Sequence, residues 1–141
     1  MTDWDPEAFT RNLIADMRAH GGRASAGPMA GQPLMILTTT GAKSGEPRQA
    51  IVTYHADGDR WAIAGSKGGA PTHPAWFHNL EAHPTATIEV ANETVPVRAL
   101  IADGEERERL WNDHVAALPA FGEYPAKTDR VIPMILLERV D

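Results

Sequence analysis

Cysteine is absent from this chain of 141 residues. Disulfides, thiolate metal sites and cysteine nucleophiles are therefore excluded, and the absence is typical of a reducing compartment. Long apolar runs are also absent, because no stretch approaches the roughly 18 apolar residues of a membrane-spanning helix. The N-terminal residues carry charges throughout and lack the apolar core of a signal peptide. We therefore expect a cytoplasmic protein that is not stably inserted in a membrane.

Positive charge is scarce, since 13 Lys and Arg residues face 19 Asp and Glu residues and the formal net charge is −6. A nucleic-acid-binding protein usually presents a basic face, so this balance argues against nucleic acid as a partner. Residues 31–80 nevertheless contain four basic and three acidic side chains, which makes this segment +1 and the remainder −7. The composition therefore permits a local basic pocket in an acidic protein.

Several catalytic and metal-binding motifs are missing. The sequence contains neither G-x-S-x-G, the serine-hydrolase motif, nor G-x-x-x-x-G-K-[ST], the phosphate-binding loop of nucleoside triphosphatases. It has no H-E-x-x-H motif either. His73, His78 and His83 are five residues apart, so that on a helix they share no face. We therefore expect no metal centre.

The chain length predicts one domain with its own core. Asp5-Pro6 is typical of a helix N-terminus, where Asp is a cap and Pro occupies the first turn. Phe9, Leu13 and Met17 then recur at helical spacing, and the glycines at 21–22 predict the helix end. We expect this helix to pack on the rest of the domain through its apolar stripe.

Six segments are predicted strands, and most are joined by hairpin turns. Two further helices are expected at residues 74–83 and at about 105–118. Strands that are mostly connected as hairpins, together with three helices, predict an α+β fold around an antiparallel sheet or barrel. The predicted strands comprise residues 33–40, 48–56, 60–66, 85–92, 94–101 and 131–140.

The side-chain pattern of these strands predicts which faces are buried. The apolar run at residues 34–37 predicts burial on both faces, and Pro96 predicts a sheet edge or a bulge. Elsewhere the apolar residues alternate, and their common face is expected to point inward. The expected inward residues are Ala86, Ile88 and Val90 in one strand, and Val95, Val97, Ala99 and Ile101 in the next.

A basic glycine turn, "GAKSGEPR", connects the first two predicted strands. Backbone N–H groups exposed by such a turn attract anions. Lys43 would add a point charge, Ser44 a hydroxyl donor, and Arg48 a planar group suited to phosphate or carboxylate. The pattern alone fits a solvated hairpin equally well, so both interpretations remain open.

A second glycine-rich connection, "AGSKGGAPTHPAWFHNL", again joins a strand end to an adjacent Ser and Lys. It leads into a helix whose N-terminus favours negative charge. Two such segments in a small domain favour a phosphorylated or carboxylated ligand.

Aromatic residues are a further candidate for ligand contact. Trp76 follows the second glycine-rich segment directly and could pack against a planar ligand. Phe121 and Tyr124 lie between prolines in a predicted loop, where exposed aromatic side chains suggest an apolar pocket.

Four collinear motifs carry a family resemblance: "LTTTGAKSGEPR", "AGSKGG", "HPAWFHNLEAHP" and "TDRVIP". From about Pro33 to the C-terminus the chain resembles the deazaflavin-dependent nitroreductases of actinobacteria, small reductases that use coenzyme F420. The resemblance implies a split β-barrel of about six antiparallel strands with flanking helices, similar to FMN-binding pyridoxamine-phosphate-oxidase relatives. Residues 1–32 would form an N-terminal helix and loop that pack on the barrel, and residues 33–141 would form the coenzyme-binding part of a single domain.

The resemblance also implies a ligand for the two glycine-containing segments. Coenzyme F420 is a deazaflavin with a phosphate and a polyglutamate tail, so that one end is anionic and the other is aromatic. By motif position, Lys43, Ser44 and Arg48 would bind the phosphate and tail. The other implied contacts are Ala64, Ser66, Lys67 and Gly68 near the deazaflavin or its linker, and Ala75, Trp76, Phe77 and Leu80 along the ring and the ribityl-like chain.

The implied activity is transfer of a hydride from C5 of reduced F420 to a small electron-poor acceptor: a quinone, an activated enone or lactone, or a nitroaromatic. Phe121 and Tyr124 would line the acceptor pocket, and Ser66 and Tyr124 are candidates for orienting the acceptor or relaying a proton. Relatives commonly have a basic residue at the position of Ala42 and tyrosines where Leu118 and Phe121 stand. The first departure is expected to affect the affinity for the coenzyme tail, and the second is expected to affect the reduction of nitro compounds.

Two alternatives remain open. An FMN-dependent oxidoreductase of the same fold would also present a basic turn to the flavin phosphate. A non-catalytic F420-binding or carrier protein would use the aromatic loop to close the site. If the acceptor is a quinone, loose association with a membrane is expected, and the sequence leaves the oligomeric state open.

Overall fold

The structure, a computed structural model, describes residues 6–25, 30–66, 72–91, 93–128 and 130–140. In this part of the chain, seven strands form one sheet, accompanied by three α-helices and a 3-10 helix. The elements are α1 Pro6–Ala19, β1 Leu34–Thr40, β2 Pro47–Thr53, β3 His55–Asp57, β4 Arg60–Ala64, α2 Ala75–Ala82, β5 Thr85–Val90, β6 Glu93–Ile101, α3 Gly104–Ala117, the 3-10 helix Pro119–Lys127 and β7 Met134–Arg139.

The sheet is antiparallel throughout, with the strand order β2-β1-β5-β6-β7-β4-β3. β2 and β3 are therefore its two edges, although only Tyr54 separates them in sequence. The sheet must curl until its edges approach, which gives the split β-barrel that the resemblance implied. The predicted continuous strand 48–56 is wrong, because the chain passes from one edge to the other at Tyr54, whose N–H donates to Pro33 O at 3.1 Å. This break makes seven strands from the predicted six.

β1 is buried on both faces, as predicted. Met35 and Leu37 point into the barrel, whereas Leu34 and Ile36 face the other side. There the strand is covered by α1, which contributes the buried side chains of Ile14 and Met17. The stripe on α1 is thus a packing surface for part of its length only, since Phe9 remains 41% exposed.

The structure tests the predicted C-terminal end of α1 but not its predicted N-terminal cap. The glycines at 21–22 follow the helix with φ angles of +67° and +91°, which confirms the predicted C-terminal signal. The predicted cap at Asp5 lies outside the described residues.

Among the described residues no helix is both long enough and apolar enough to cross a membrane. A cytoplasmic location stays a prediction.

β6 confirms the predicted alternation only in part. Val95, Val97 and Ala99 are buried, but Ile101 is 45% exposed. The prediction for Ile101 is wrong because β6 pairs with β5 only as far as Arg98, so the strand end extends past its neighbour. Alternation in β5 is confirmed, since Ile88 and Val90 are buried and Ala86 packs against the same core.

Pro96 occupies a central strand, so the predicted edge or bulge is wrong. It pairs with Thr87 of β5, and its carbonyl accepts from Val140 N–H at 2.9 Å just beyond the end of β7. In an antiparallel ladder the N–H and C=O of one residue point to the same side. The missing N–H therefore falls where the neighbouring strand has ended, which makes proline tolerable there.

A second core lies between the outer face of the sheet and α3. Phe121 and Tyr124 pack against it from the 3-10 helix, and Trp111 does so from α3. The predicted exposed loop at this point is therefore wrong: the prolines at 119 and 125 are part of the 3-10 helix, and both aromatic rings are half-buried. The buried residues of this core are Ala62, Ala64, Leu110, Ile132, Met134 and Leu136.

Candidate functional site

The basic turn between β1 and β2 has a fixed shape. Gly41 N–H donates to Glu46 O at 2.8 Å, and Gly45 N–H donates to Gly41 O at 2.9 Å. Gly45 has a φ of +71°, and a Cβ on Gly41 would overlap Ser44 Oγ. Gly45 is thus favoured by its backbone conformation, whereas a side chain at Gly41 would require the Ser44 hydroxyl to move.

Asn79 of α2 attaches this turn to the helix. Its Oδ1 accepts from Ala42 N–H at 3.0 Å, and its Nδ2 donates to Thr39 Oγ1 at 3.0 Å. Asn79 and Thr39 are 8% and 2% exposed, so the bond between them is shielded from water, whereas the bond to the exposed Ala42 is only partly buried. Asn79 was not predicted as a site residue, although a polar residue between Phe77 and Leu80 of an apolar helix is a recognisable signal.

A groove of about 820 Å³ lies between the turn and the N-terminal part of α2. It brings together five of the residues singled out from the sequence: Lys43, Ser44 and Arg48 from the turn, and Ala75 and Trp76 from α2. The hairpin and the ligand cradle, which the sequence left as alternatives, are compatible, because the hairpin forms one wall of the groove. Coenzyme contact by these residues stays a prediction.

The cations of the groove are weakly neutralised by the protein. Among the described residues Lys43 has no ion-pair partner, and Arg48 pairs with Glu46 at 3.5 Å, with both side chains more than half exposed. An exposed pair of this kind contributes little to stability. Both charges can therefore turn toward an anion in the groove at small cost.

The other predicted coenzyme contacts lie elsewhere. Phe77 and Leu80 are 6% and 1% exposed and belong to the barrel interior, so they support α2 from below and do not line the groove. Ala64 and Ser66 are buried at the end of β4 and just after it. The predicted contacts Lys67 and Gly68 lie outside the described residues.

His73 and Arg130 form a polar contact near the second glycine-rich segment. Arg130 Nη1 lies 2.8 Å from His73 Nδ1. Burial, and then the positive charge of Arg130, lower the pKa of His73. The ring is therefore neutral near neutral pH, and Nδ1 accepts the hydrogen bond.

Phe121 and Tyr124 contact each other at 5.1 Å between ring centroids, and Lys127 Nζ lies 5.7 Å from the centroid of the Tyr124 ring. Both aromatic residues pack on the core that contains Ala64, the last residue of β4. They therefore share a core with the strand that leads into the second glycine-rich segment, and neither lines the groove at the basic turn. Over the described ranges, no group of three or more His, Asp and Glu side chains could hold a metal ion.

The fold places the chain in a recognisable class, the split β-barrels of the FMN-binding and pyridoxamine-oxidase type. A protein of Listeria innocua to which a pyridoxamine 5′-phosphate oxidase activity is ascribed shares the fold, with a TM-score of 0.54 over 93% of each chain at 11% identity. Within this class, residues 9–139 match the family described as F420H(2)-dependent quinone reductase. The chain belongs to this family and is an oxidoreductase.

Individual relatives support the same assignment. The chain is 38% identical over 112 residues to the F420H(2)-dependent quinone reductase Rv1261c of Mycobacterium tuberculosis, which covers 76% of this chain and 74% of that protein. Among solved structures, the F420-H2 dependent reductase FDR-A is 40% identical, with a TM-score of 0.69 over 75% of this chain and 94% of its own. A further structure, of a domain-swapped dimer, is 34% identical, with a TM-score of 0.72 over 95% of this chain and all of its own.

Proposed function

We propose that the chain is an F420H2-dependent reductase whose acceptor is a small electron-poor molecule of the quinone type. The observation that carries the proposal is the groove in which Asn79 holds the basic turn against α2. Lys43 and Arg48 line it from the basic turn and the start of β2, and Trp76 lines it from α2. A ligand that is anionic at one end and planar at the other matches both sides.

The residues of the groove fit this coenzyme. Lys43 and Arg48 would bind the phosphate and the carboxylates of the tail, the latter through the paired N–H groups of the guanidinium. Ser44 would donate its hydroxyl, although at present its Oγ accepts from Glu46 N–H at 3.2 Å. Ala75 and Trp76 would bound the planar part. When bound, the reduced coenzyme supplies a hydride, and the protein supplies binding and orientation.

The acceptor would bind near the 3-10 helix. Phe121 and Tyr124 pack on the core that includes Ala62 and Ala64 of β4, and Ser66 follows that strand by two residues. Phe121 would provide an apolar surface, and the hydroxyl of Tyr124 or of Ser66 would orient the acceptor or relay a proton from water. Enones, lactones and nitroaromatics remain candidate acceptors, and the half-burial of Phe121 limits the space available to bulky ones.

The substitution Tyr124→Phe, followed as kcat with saturating coenzyme, tests the role proposed for the Tyr124 hydroxyl.

Two alternative functions would use the same groove. FMN also carries a phosphate that suits Lys43 and Arg48, and a carrier of F420 would bind the coenzyme without reducing an acceptor. A comparison of coenzymes separates the proposed function from the FMN alternative. Fluorescence titration of the purified chain is expected to show F420 binding and much weaker FMN binding. Tight FMN binding without F420 binding would overturn the proposal. Oxidation of reduced F420 that depends on menadione is expected from a reductase and not from a carrier.

The basic turn gives a residue-level prediction. Lys43→Ala and Arg48→Ala are each expected to weaken F420 binding by about 1–3 kcal/mol, which is the scale of a hydrogen bond to a charged group. Thermal stability should change little, because both side chains are exposed. Arg98→Ala is a matched control, since Arg98 is an exposed cation on β6 and does not line the groove. Normal F420 binding by both turn variants would show that the turn is only a hairpin.

A further inference from the structure

The connection between β4 and α2 has its two ends side by side. Gly65, its first residue, donates its N–H to Pro133 O at 2.9 Å. A Cβ on Gly65 would approach Pro133 Cγ to 2.8 Å and Pro74 Cδ, at the other end of the connection, to 3.6 Å. The absence of a side chain therefore lets both ends and the segment that precedes β7 meet closely.

Arg130 links these ends. Its Nη1 donates to Gly65 O at 2.9 Å, and its Nη2 donates to Ser66 O at 2.6 Å, both at the start of the connection. Nη1 also lies 2.8 Å from His73 Nδ1, near the end of the connection. One planar guanidinium thus spans two carbonyls and a ring nitrogen, a geometry that the single ammonium group of lysine cannot reproduce.

The connection leads directly into one wall of the groove. α2 begins at Ala75, two residues after His73, and its first two residues line the groove opposite the basic turn. The position of this helix start relative to β4 is therefore set where Arg130 closes the connection. Arg130 itself does not line the groove.

We propose that Arg130 is a positioning residue for the coenzyme site, which holds the two ends of the β4–α2 connection together and thereby fixes Ser66, Ala75 and Trp76 relative to the groove. The inference rests on the proposed function for the identity of the ligand. It assigns a role to the "TDRVIP" motif, for which the resemblance implied no coenzyme contact. The described contacts of its guanidinium that carry this role are those with two backbone carbonyls and a neutral imidazole.

Arg107 offers a matched control. Its Nε and Nη2 donate to Ile132 O at 3.1 and 2.7 Å, so it stabilises the same segment that precedes β7. Among the described contacts it makes no hydrogen bond to the β4–α2 connection. Arg107→Ala should therefore reproduce a loss of stability in this region without releasing the ends of the connection.

Hydrogen exchange in the coenzyme-free protein tests the link directly. Backbone amides around Ser66 and His73 are expected to exchange about tenfold faster in Arg130→Ala than in the wild type, because hydrogen bonds to a charged group are lost. Arg130→Lys should give an intermediate change, and Arg107→Ala should leave these amides protected. Unchanged exchange in Arg130→Ala would overturn the proposal.

Binding and kinetics then test the consequence for the site. Arg130→Ala is expected to raise the Kd and the KM for reduced F420 about tenfold or more, with a smaller change in kcat at saturating coenzyme. Equal losses of affinity in Arg130→Ala and Arg107→Ala would reduce Arg130 to a structural role and overturn the proposal. If the wild type fails to bind F420, the proposed function fails, and the exchange measurement still decides whether Arg130 holds the connection.

Discussion

The free energy of unfolding is expected to fall by about 2 kcal/mol when the pH is lowered from about 7.5 to about 5, because of one buried pair of imidazoles. His55 and His114 are 8% and 0% exposed, and their Nδ1 atoms are 2.8 Å apart. One Nδ1 must donate and the other must accept, and burial lowers the pKa of both rings, so both are neutral near neutral pH. Neither Nε2 has a hydrogen-bond partner among the described residues. A proton added to His114 would therefore bring an unfavourable charge into the core, whereas Asp113 and Asp57 offset part of the effect of a charge on His55.

The direction of the pH dependence is set by the pKa shifts. Burial, followed by the proximity of His55, lowers the pKa of His114 to about 4, and burial also lowers the pKa of His55. An unfolded histidine titrates near about 6.5. Above that pH the stabilising effect of the neutral pair is complete, and it is lost as the pH falls from about 6.5 toward about 4. The measurement is urea unfolding at several pH values across this window.

The double variant His55→Leu/His114→Leu is the control. It should lose most of the dependence on pH between about 6.5 and 5, because both buried histidines are gone. A small dependence should remain, because the pKa of His73 is also lowered. His114→Leu alone is expected to cost about 1–3 kcal/mol near neutral pH, since it leaves His55 Nδ1 without its partner. An equally steep loss of stability in the double variant and the wild type would show that other groups cause the acid sensitivity.

The second large effect is expected from Asn79→Leu, which keeps the branched shape of the side chain and removes both of its hydrogen bonds. Thr39 Oγ1 would keep only its 3.5 Å hydrogen bond to Arg48 O, and Ala42 N–H would turn to water, so that the two lost hydrogen bonds together cost about 1–3 kcal/mol. Because the turn would no longer be held against α2, we also expect the affinity for F420 to fall by about tenfold. Thermal unfolding and fluorescence titration measure the two effects separately.

Asn112→Leu is the matched control for this experiment. Asn112 is an exposed asparagine on α3, so the same chemical change removes no buried contact and should alter stability little. If Asn79→Leu is destabilised but binds F420 with wild-type affinity, then the basic turn keeps its position without the helix, and Asn79 has no role in the site.

The order and type of most elements could be predicted because the signals are local. Alternation of Val95 and Val97, the unbroken apolar run at residues 34–37, and the glycines at the end of α1 each depend on neighbours in sequence, and the structure confirms them. The failures occur where a distant part of the chain decides. Ile101 has the correct parity but lies past the end of β5, and the strand at residues 48–56 breaks because its two parts belong to opposite edges of the sheet.

The candidate site divides in the same way. The sequence by itself determined that a basic glycine turn and a second glycine-rich segment exist, because charge and glycine content are properties of short stretches. Only the tertiary structure decided that Asn79 joins the turn from 37 residues away, that Arg130 closes a connection 64 and 65 residues before it, and that His55 meets His114 across 59 residues. These contacts are formed by side chains that local periodicity does not distinguish from others. Their partners are selected by the curl of the sheet, which brings distant segments together only once the whole domain has folded.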